Sequence, residues 1–231
     1  MVTNETGNNP LVTIGIPNFN YAHYILDAIE SAVNQDYPNI ELIIVDDCST
    51  DNSVGVIDEW IKNYKGGVPV KFIKNQNNLG LPGTCNVILK NASGKYYQTL
   101  DADDLLHLDK IAQQVEILNV NENAALIYSN VCLIDENGKK VDDDYLKRIN
   151  YEEKEMPEGN IFEQLFNFNF IPLPSVLINT KLAREVGGYD DTLQVQDYYL
   201  WLKLAEKFPV IYLPVKTALY RVHSKSMSND E

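Results

Sequence analysis

Three cysteines in 231 residues, none spaced Cys-x-x-Cys, leave no disulfide framework and argue against a thiolate zinc centre. Cys48, Cys85 and Cys132 each lie beside apolar segments, so they read as buried small hydrophobes in a reducing setting. Positive charge is also scarce: 19 Lys and Arg stand against 33 Asp and Glu, for a formal net charge of −14. Such a surface repels phosphate backbones, which disfavours nucleic acid as a partner. It also disfavours a broad basic membrane-docking face, although a local patch leaves room for peripheral contact with a membrane. No run approaches the ~20 apolar residues that span a bilayer. Residues 1–10 are polar and lack the basic-then-apolar pattern of a secretory signal. The expected setting is cytoplasmic. Neither GxxxxGK[ST] nor GxGxxG occurs, so the usual glycine-rich phosphate loops are missing. With no internal repeat and no low-complexity linker, one domain over residues 1–231 is the simplest division.

What is present is an ordinary globular composition, 45% hydrophobic, with strand and helix signals in alternation. Residues 11–17, 40–45, 70–73 and 95–100 read as strands. Residues 21–37, 51–64, 82–91 and 108–119 carry apolar positions at helical spacing. Four alternations in about a hundred residues imply βαβ units and a parallel sheet covered by helices on both faces. After that the order changes. Residues 125–134 read as a strand and 135–138 as a turn. Residues 142–157 are polar, without periodicity, and read as a mobile loop. Helices are expected at 161–170, 181–186 and 197–208, with strands at 175–178, 210–213 and 218–222. The aromatics Phe166, Phe168 and Phe170, at helical spacing, read as core.

In parallel sheets ligands sit beyond the carboxyl ends of the strands. Three of the first four strands end on distinctive polar residues: Asn18 to Asn20, Asp46-Asp47, and Asp101-Ala102-Asp103-Asp104. They should converge on one rim. Three carboxylates within four residues repel one another unless a cation neutralises them, and carboxylate oxygens suit Mg²⁺, Mn²⁺ or Ca²⁺. The plain alternative is a solvated acidic helix start. Asp47 can accept a hydrogen bond from a nucleobase imide N–H, with Ser49 or Thr50 capping the next helix. Asp197 opens an otherwise apolar helix. It is either a dipole residue or a general base with a tunable pKa. His223 stands among Arg221, Ser224, Lys225 and Ser226, a group suited to diphosphate, and imidazole is a competent Mn²⁺ ligand.

These residues resemble the family-2 inverting glycosyltransferases of GT-A fold, the bacterial polysaccharide, O-antigen and capsule type, over nearly the whole chain. The resemblance rests on six blocks in order. They are Val12-Thr13-Ile14-Gly15-Ile16-Pro17-Asn18-Phe19-Asn20; Val45-Asp46-Asp47-Cys48-Ser49-Thr50-Asp51; and Asn77-Asn78-Leu79-Gly80-Leu81 through Asn86. Leu100-Asp101-Ala102-Asp103-Asp104 carries the family's DXD element. Gly187-Gly188-Tyr189-Asp190 with Gln196-Asp197-Tyr198-Tyr199-Leu200-Trp201-Leu202 follows, and Tyr220-Arg221-Val222-His223 with Ser226 closes the series.

The resemblance implies an α/β fold: a GT-A, Rossmann-like, mostly parallel sheet flanked by helices, with a smaller acceptor-side subregion. A nucleotide-sugar half would cover about residues 10–120 and an acceptor half about 121–231. Pro17, Asn18, Phe19, Asn20, Asp47, Asn86, Asp101 and Asp103 would bind the nucleotide. Asp103, Asp104 and His223 would hold Mn²⁺ or Mg²⁺, Arg221 and Ser226 would meet the diphosphate, and Asp197 would be the catalytic base. The implied activity is hexosyl transfer from a nucleotide sugar, UDP-linked by expectation, to a hydroxyl of a glycan or lipid-linked acceptor. Two departures stand out. Gln196-Asp197 replaces a frequent Glu-Asp, and Cys85 replaces a frequent arginine, which leaves diphosphate contacts from that helix open. The rival expectations are a sugar nucleotidyltransferase and a catalytically inactive nucleotide-sugar-binding module.

Overall fold

The computed structural model describes residues 9–151, 155–193 and 195–223. Its strands are β1 Val12–Asn18, β2 Ile40–Asp46, β3 Val70–Lys74, β4 Tyr96–Thr99, β5 Leu105–Leu106, β6 Leu126–Ile134, β7 Lys140–Asp142, β8 Leu177–Asn179 and β9 Val210–Arg221. The helices are α1 Ile25–Val33, α2 Ser53–Asn63, α3 Gly80–Asn91, α4 Lys110–Val120, α5 Tyr145–Arg148, α6 Phe162–Asn167, α7 Thr180–Glu185 and α8 Gln196–Lys207. The strands lie in one sheet in the order β3-β2-β1-β4-β8-β6-β9-β5, with β7 paired to β6. Pairings β1–β2, β1–β4, β2–β3 and β6–β9 are parallel; β8 and β5 run antiparallel to their neighbours. Among the described residues no helix is long and apolar enough to cross a membrane.

The central strands β1, β2 and β4 are buried along nearly their whole length because both of their faces are covered. Leu42 and Ile44 of β2 join a core with Ile25 and Ile29 of α1, Ile57 of α2 and Ile111 of α4. Ile43 and Val45 point the other way, into a second core with Ile88 of α3 and Leu200, Trp201 and Leu204 of α8. At Gly15 a Cβ would lie 2.2 Å from Ile88 Cγ2. The absence of a side chain there lets α3 rest directly on β1.

Several expectations need correction. The last two strands are one, β9, with exposed Pro214 and Val215 displaced at a register shift: Leu213 pairs with Ser129, and Lys216 with the next residue, Asn130. The proline that divided the sequence pattern is absorbed as a bulge. The segment 142–157 holds more order than a loop. It begins in the β6–β7 hairpin and contains α5, whose Leu146 is buried and whose Lys147 N–H donates to the Asp144 side chain. Residues 152–154 within it lie outside the described residues. Phe170 is buried, but Phe166 and Phe168 are 65% and 43% exposed, so only one of the three aromatics is core. Cys48 is exposed as well, whereas Cys85 and Cys132 are buried.

Candidate active site

The carboxyl ends of β1, β2 and β4 meet as their register demands, Asn18 lying opposite Asp46. Asn18 is buried and its Nδ2 donates to Asp46 Oδ2 at 2.8 Å, while its Oδ1 has no partner. Asn20 turns the chain with φ +62°. Its Oδ1 accepts from the Thr50 and Asp51 backbone N–H groups at 2.7 and 3.2 Å, tying the first strand-end loop to the second. Pro17 is buried and Phe19 is 42% exposed at the rim. The expected helix cap is different. Ser49 donates back to Asp46 Oδ2 at 2.6 Å, and Asp51 Oδ1 accepts from the Ser53 N–H that starts α2.

Asp47 is almost fully buried, held through one oxygen. Oδ1 accepts from Asn75 Nδ2 and from the Leu79 N–H, both at 2.8 Å, and the Leu79 bond fixes the start of α3 beneath the rim. Farther along α3, Asn86, expected at the nucleotide, is bonded to Tyr189. Its Nδ2 donates to the Tyr189 carbonyl at 2.8 Å and its Oδ1 accepts from the Tyr189 N–H at 3.0 Å. The amide is thus committed to the segment that leads into α8. Cys85, where an arginine was expected, is buried; burial pushes its thiol up, and Asp101, Asp197 and Asp47 add to the shift.

Beyond β4 the chain forms the acidic loop. One carboxylate oxygen from each of Asp101, Asp103 and Asp104 lies within 4.8 Å of the others. Burial, then Asp103, then Asp197 push the Asp101 carboxyl up to about 8. Asp104 has no exposed surface. Its Oδ1 accepts from the Arg221 N–H at 2.8 Å, and its Oδ2 is buried without a partner. Burial, then Asp103 and Asp101, hold its carboxyl well above the usual carboxylate range. His223 Nε2 lies 3.0 Å from Asp103 Oδ2. The imidazole packs near Tyr24 and Tyr21, at 5.5 and 6.0 Å between ring centroids. The Tyr21 hydroxyl is pushed up by burial and then by the same three aspartates, which marks Tyr21 as a site residue missed in the sequence. A tyrosine before an apolar helix carries no distinguishing pattern.

Asp197 sits in the first turn of α8, where its Oδ1 accepts from the Tyr198 N–H at 2.7 Å. Burial raises its pKa above the usual carboxylate value in spite of that bond. Arg221 was expected to meet the diphosphate. Its guanidinium is buried and donates to backbone carbonyls, a commitment that rests on the β5–β9 pairing. Ser226 lies outside the described residues.

Residues 13–174 match the family model described as Glycosyl transferase family 2. The chain belongs to glycosyl transferase family 2. It is 33% identical over 228 residues to an uncharacterized glycosyltransferase of Rickettsia bellii, covering 95% of this chain and 31% of that protein. An uncharacterized glycosyltransferase of Rickettsia typhi is 32% identical, covering 96% and 67%. The putative teichuronic acid biosynthesis glycosyltransferase TuaG of Bacillus subtilis is 27% identical, covering 98% and 84%. The chain therefore spans about a third of the longer Rickettsia relatives. Among solved structures, Staphylococcus aureus TarS 1–349 in complex with UDP-GlcNAc superposes with a TM-score of 0.74 at 17% identity, over 96% of this chain and 61% of that one. The mannosyltransferase PcManGT from Pyrobaculum calidifontis, in complex with GDP-Man and Mn²⁺, gives 0.73 at 19%, over 95% and 59%. These likenesses bear on the fold, and the family-2 chain has the expected α/β, GT-A arrangement: a mostly parallel sheet flanked by helices.

Proposed function

We propose that the chain transfers a sugar from a nucleotide sugar, UDP-linked by preference, to a hydroxyl of a glycan or lipid-linked acceptor, with inversion at the anomeric carbon. The observation that carries this reading is the acidic loop: three convergent carboxylates, one with a buried, unpartnered oxygen, together with the raised carboxyl of Asp197. A buried orphan oxygen within a like-charged group is what a hard divalent cation satisfies. Asp103 and Asp104, with Asp101 and His223 beside them, fit Mn²⁺ or Mg²⁺. Bound there, the ion would offset charge on the departing diphosphate. The Mn²⁺ and GDP-Man held by PcManGT, and the UDP-GlcNAc held by TarS, support the same assignment by analogy of fold.

The protein's own groups divide the remaining work. Asp47 keeps Oδ2 for an imide N–H of the base, since Oδ1 is occupied by Asn75 and Leu79. Pro17 and Phe19 flank the base. Asn18 and Asn20 shape the loop, and Asp101 and Asp103 face the ribose. Asp197 takes the acceptor hydroxyl proton; burial gives it the basicity that task needs at neutral pH. Asn86 serves this site indirectly by anchoring Tyr189 ahead of α8. The nucleotide half runs through about residue 120 and the acceptor half follows it.

A thermal-shift screen of UDP-, GDP- and dTDP-sugars with and without Mn²⁺ tests the reading. Binding to the folded state alone must raise Tm, by about 2.7 kcal/mol of stability at a ligand concentration 100 times Kd. The expected result is a shift with UDP-sugars that grows when Mn²⁺ is added. No shift with any nucleotide sugar in either condition contradicts it.

A further inference from the structure

Arg221 ends β9 with 2% of its surface exposed. Its backbone N–H donates to Asp104 Oδ1 at 2.8 Å, and its Nε donates to the Asp103 carbonyl at 2.7 Å. Its Nη1 donates to the Asp135 and Glu136 carbonyls of the β6–β7 turn at 3.1 and 3.3 Å. Nη2 stands 3.8 Å from Asp27, and the guanidinium lies 4.5 Å over the Tyr24 ring. One residue thus clamps two consecutive members of the acidic loop. Two residues later the chain delivers His223 to Asp103.

We propose that Arg221 is a positioning residue that sets the mutual geometry of Asp103, Asp104 and His223, and thereby the affinity of the acidic loop for a divalent cation. The inference rests on the metal reading given above. The Arg221 side chain approaches Asp103 through the backbone carbonyl rather than the carboxylate, and the Arg221 N–H takes only Oδ1 of Asp104, leaving Oδ2 without a partner. Its donors point in separate directions from a rigid plane, and the ring beneath fixes that plane. A lysine ammonium, compact and on a flexible stem, reproduces none of this. Groups that orient metal ligands from behind typically govern affinity by about 10- to 100-fold.

The test titrates Mn²⁺ alone into the full chain, with no nucleotide, and reads the free-ion signal by electron paramagnetic resonance. Arg221→Lys keeps the charge and loses the geometry; Tyr24→Leu, at the half-buried start of α1, removes the ring that lies under the guanidinium and beside His223. UDP and uridine affinities are measured beside them. The expected result is that Arg221→Lys weakens Mn²⁺ binding about 10- to 100-fold. Tyr24→Leu should weaken it in the same direction by less, with the metal-free UDP-to-uridine affinity ratio unchanged in both. Should Arg221→Lys fail to fold, Tyr24→Leu decides, and unchanged Mn²⁺ affinity in that variant overturns the proposal. Unchanged Mn²⁺ affinity in Arg221→Lys with a selective loss of UDP over uridine overturns it in favour of a phosphate contact. If the wild-type chain binds no Mn²⁺, the metal reading fails first and this inference falls with it.

Discussion

Asp101 and Asp197 are pushed the same way by burial, yet they have opposite consequences for pH. Asp197 must be ionised to accept a proton, so a raised pKa lifts the acid limb of the rate profile. The predicted kcat/KM falls with falling pH through a midpoint above the ordinary 3.8; a profile flat down to pH 4 contradicts the assignment. Asp101 bears on stability. Its folded pKa, about 8, stands above the unfolded value, so the folded state binds more protons between the two. The stabilisation it contributes is complete below the unfolded pKa and is lost as pH rises through about 8. Other buried groups are shifted too, among them Lys110 with the opposite sign, since burial drives its pKa well below the usual value. The clean comparison is therefore with Asp101→Asn in metal-free buffer. From pH 5 to 8 the wild-type Tm should decline relative to the variant, and added Mn²⁺ should recover it. Parallel curves count against a raised Asp101.

At the scale of elements, the close approach of α3 to β1 is the contact that seats the rim. Gly15→Ala forces a methyl against Ile88, an overpacking cost of about 1–3 kcal/mol by denaturant unfolding. Because the start of α3 also holds Asp47, UDP affinity should weaken with it. A variant as stable as wild type shows that α3 gives way freely. The same elements show how much could be read in advance. β1 and β2 were legible because strands covered on both faces leave unbroken apolar runs, and the rim followed because their ends carry polar residues. β5 is only two residues long, too short for any period, yet its pairing with β9 is what carries Arg221 and His223 to the acidic loop. Arg221 consequently looked like a free cation in a polar tail. Its burial depends on partners 85 to 118 positions away. The tie from Asn86 to Tyr189 was illegible for a related reason, since the two are 103 positions apart.

At the scale of the whole molecule, one sheet runs through the described residues on both sides of α4. Six strands run in one direction, and β8, set antiparallel between β4 and β6, links the first four strands to β6 and β9. The candidate base on α8 and the acidic loop after β4 are about a hundred positions apart in the chain, and Asp197 is among the groups that raise the Asp101 carboxyl. The central claim is that this site transfers a sugar with Asp197 as the base. Its most direct measurement compares wild type with Asp197→Asn for UDP release from a UDP-sugar in Mn²⁺, with UDP affinity determined for both by calorimetry. The account predicts equal UDP binding and a turnover about 10²- to 10⁴-fold lower in the variant. Equal turnover in the two proteins would contradict it.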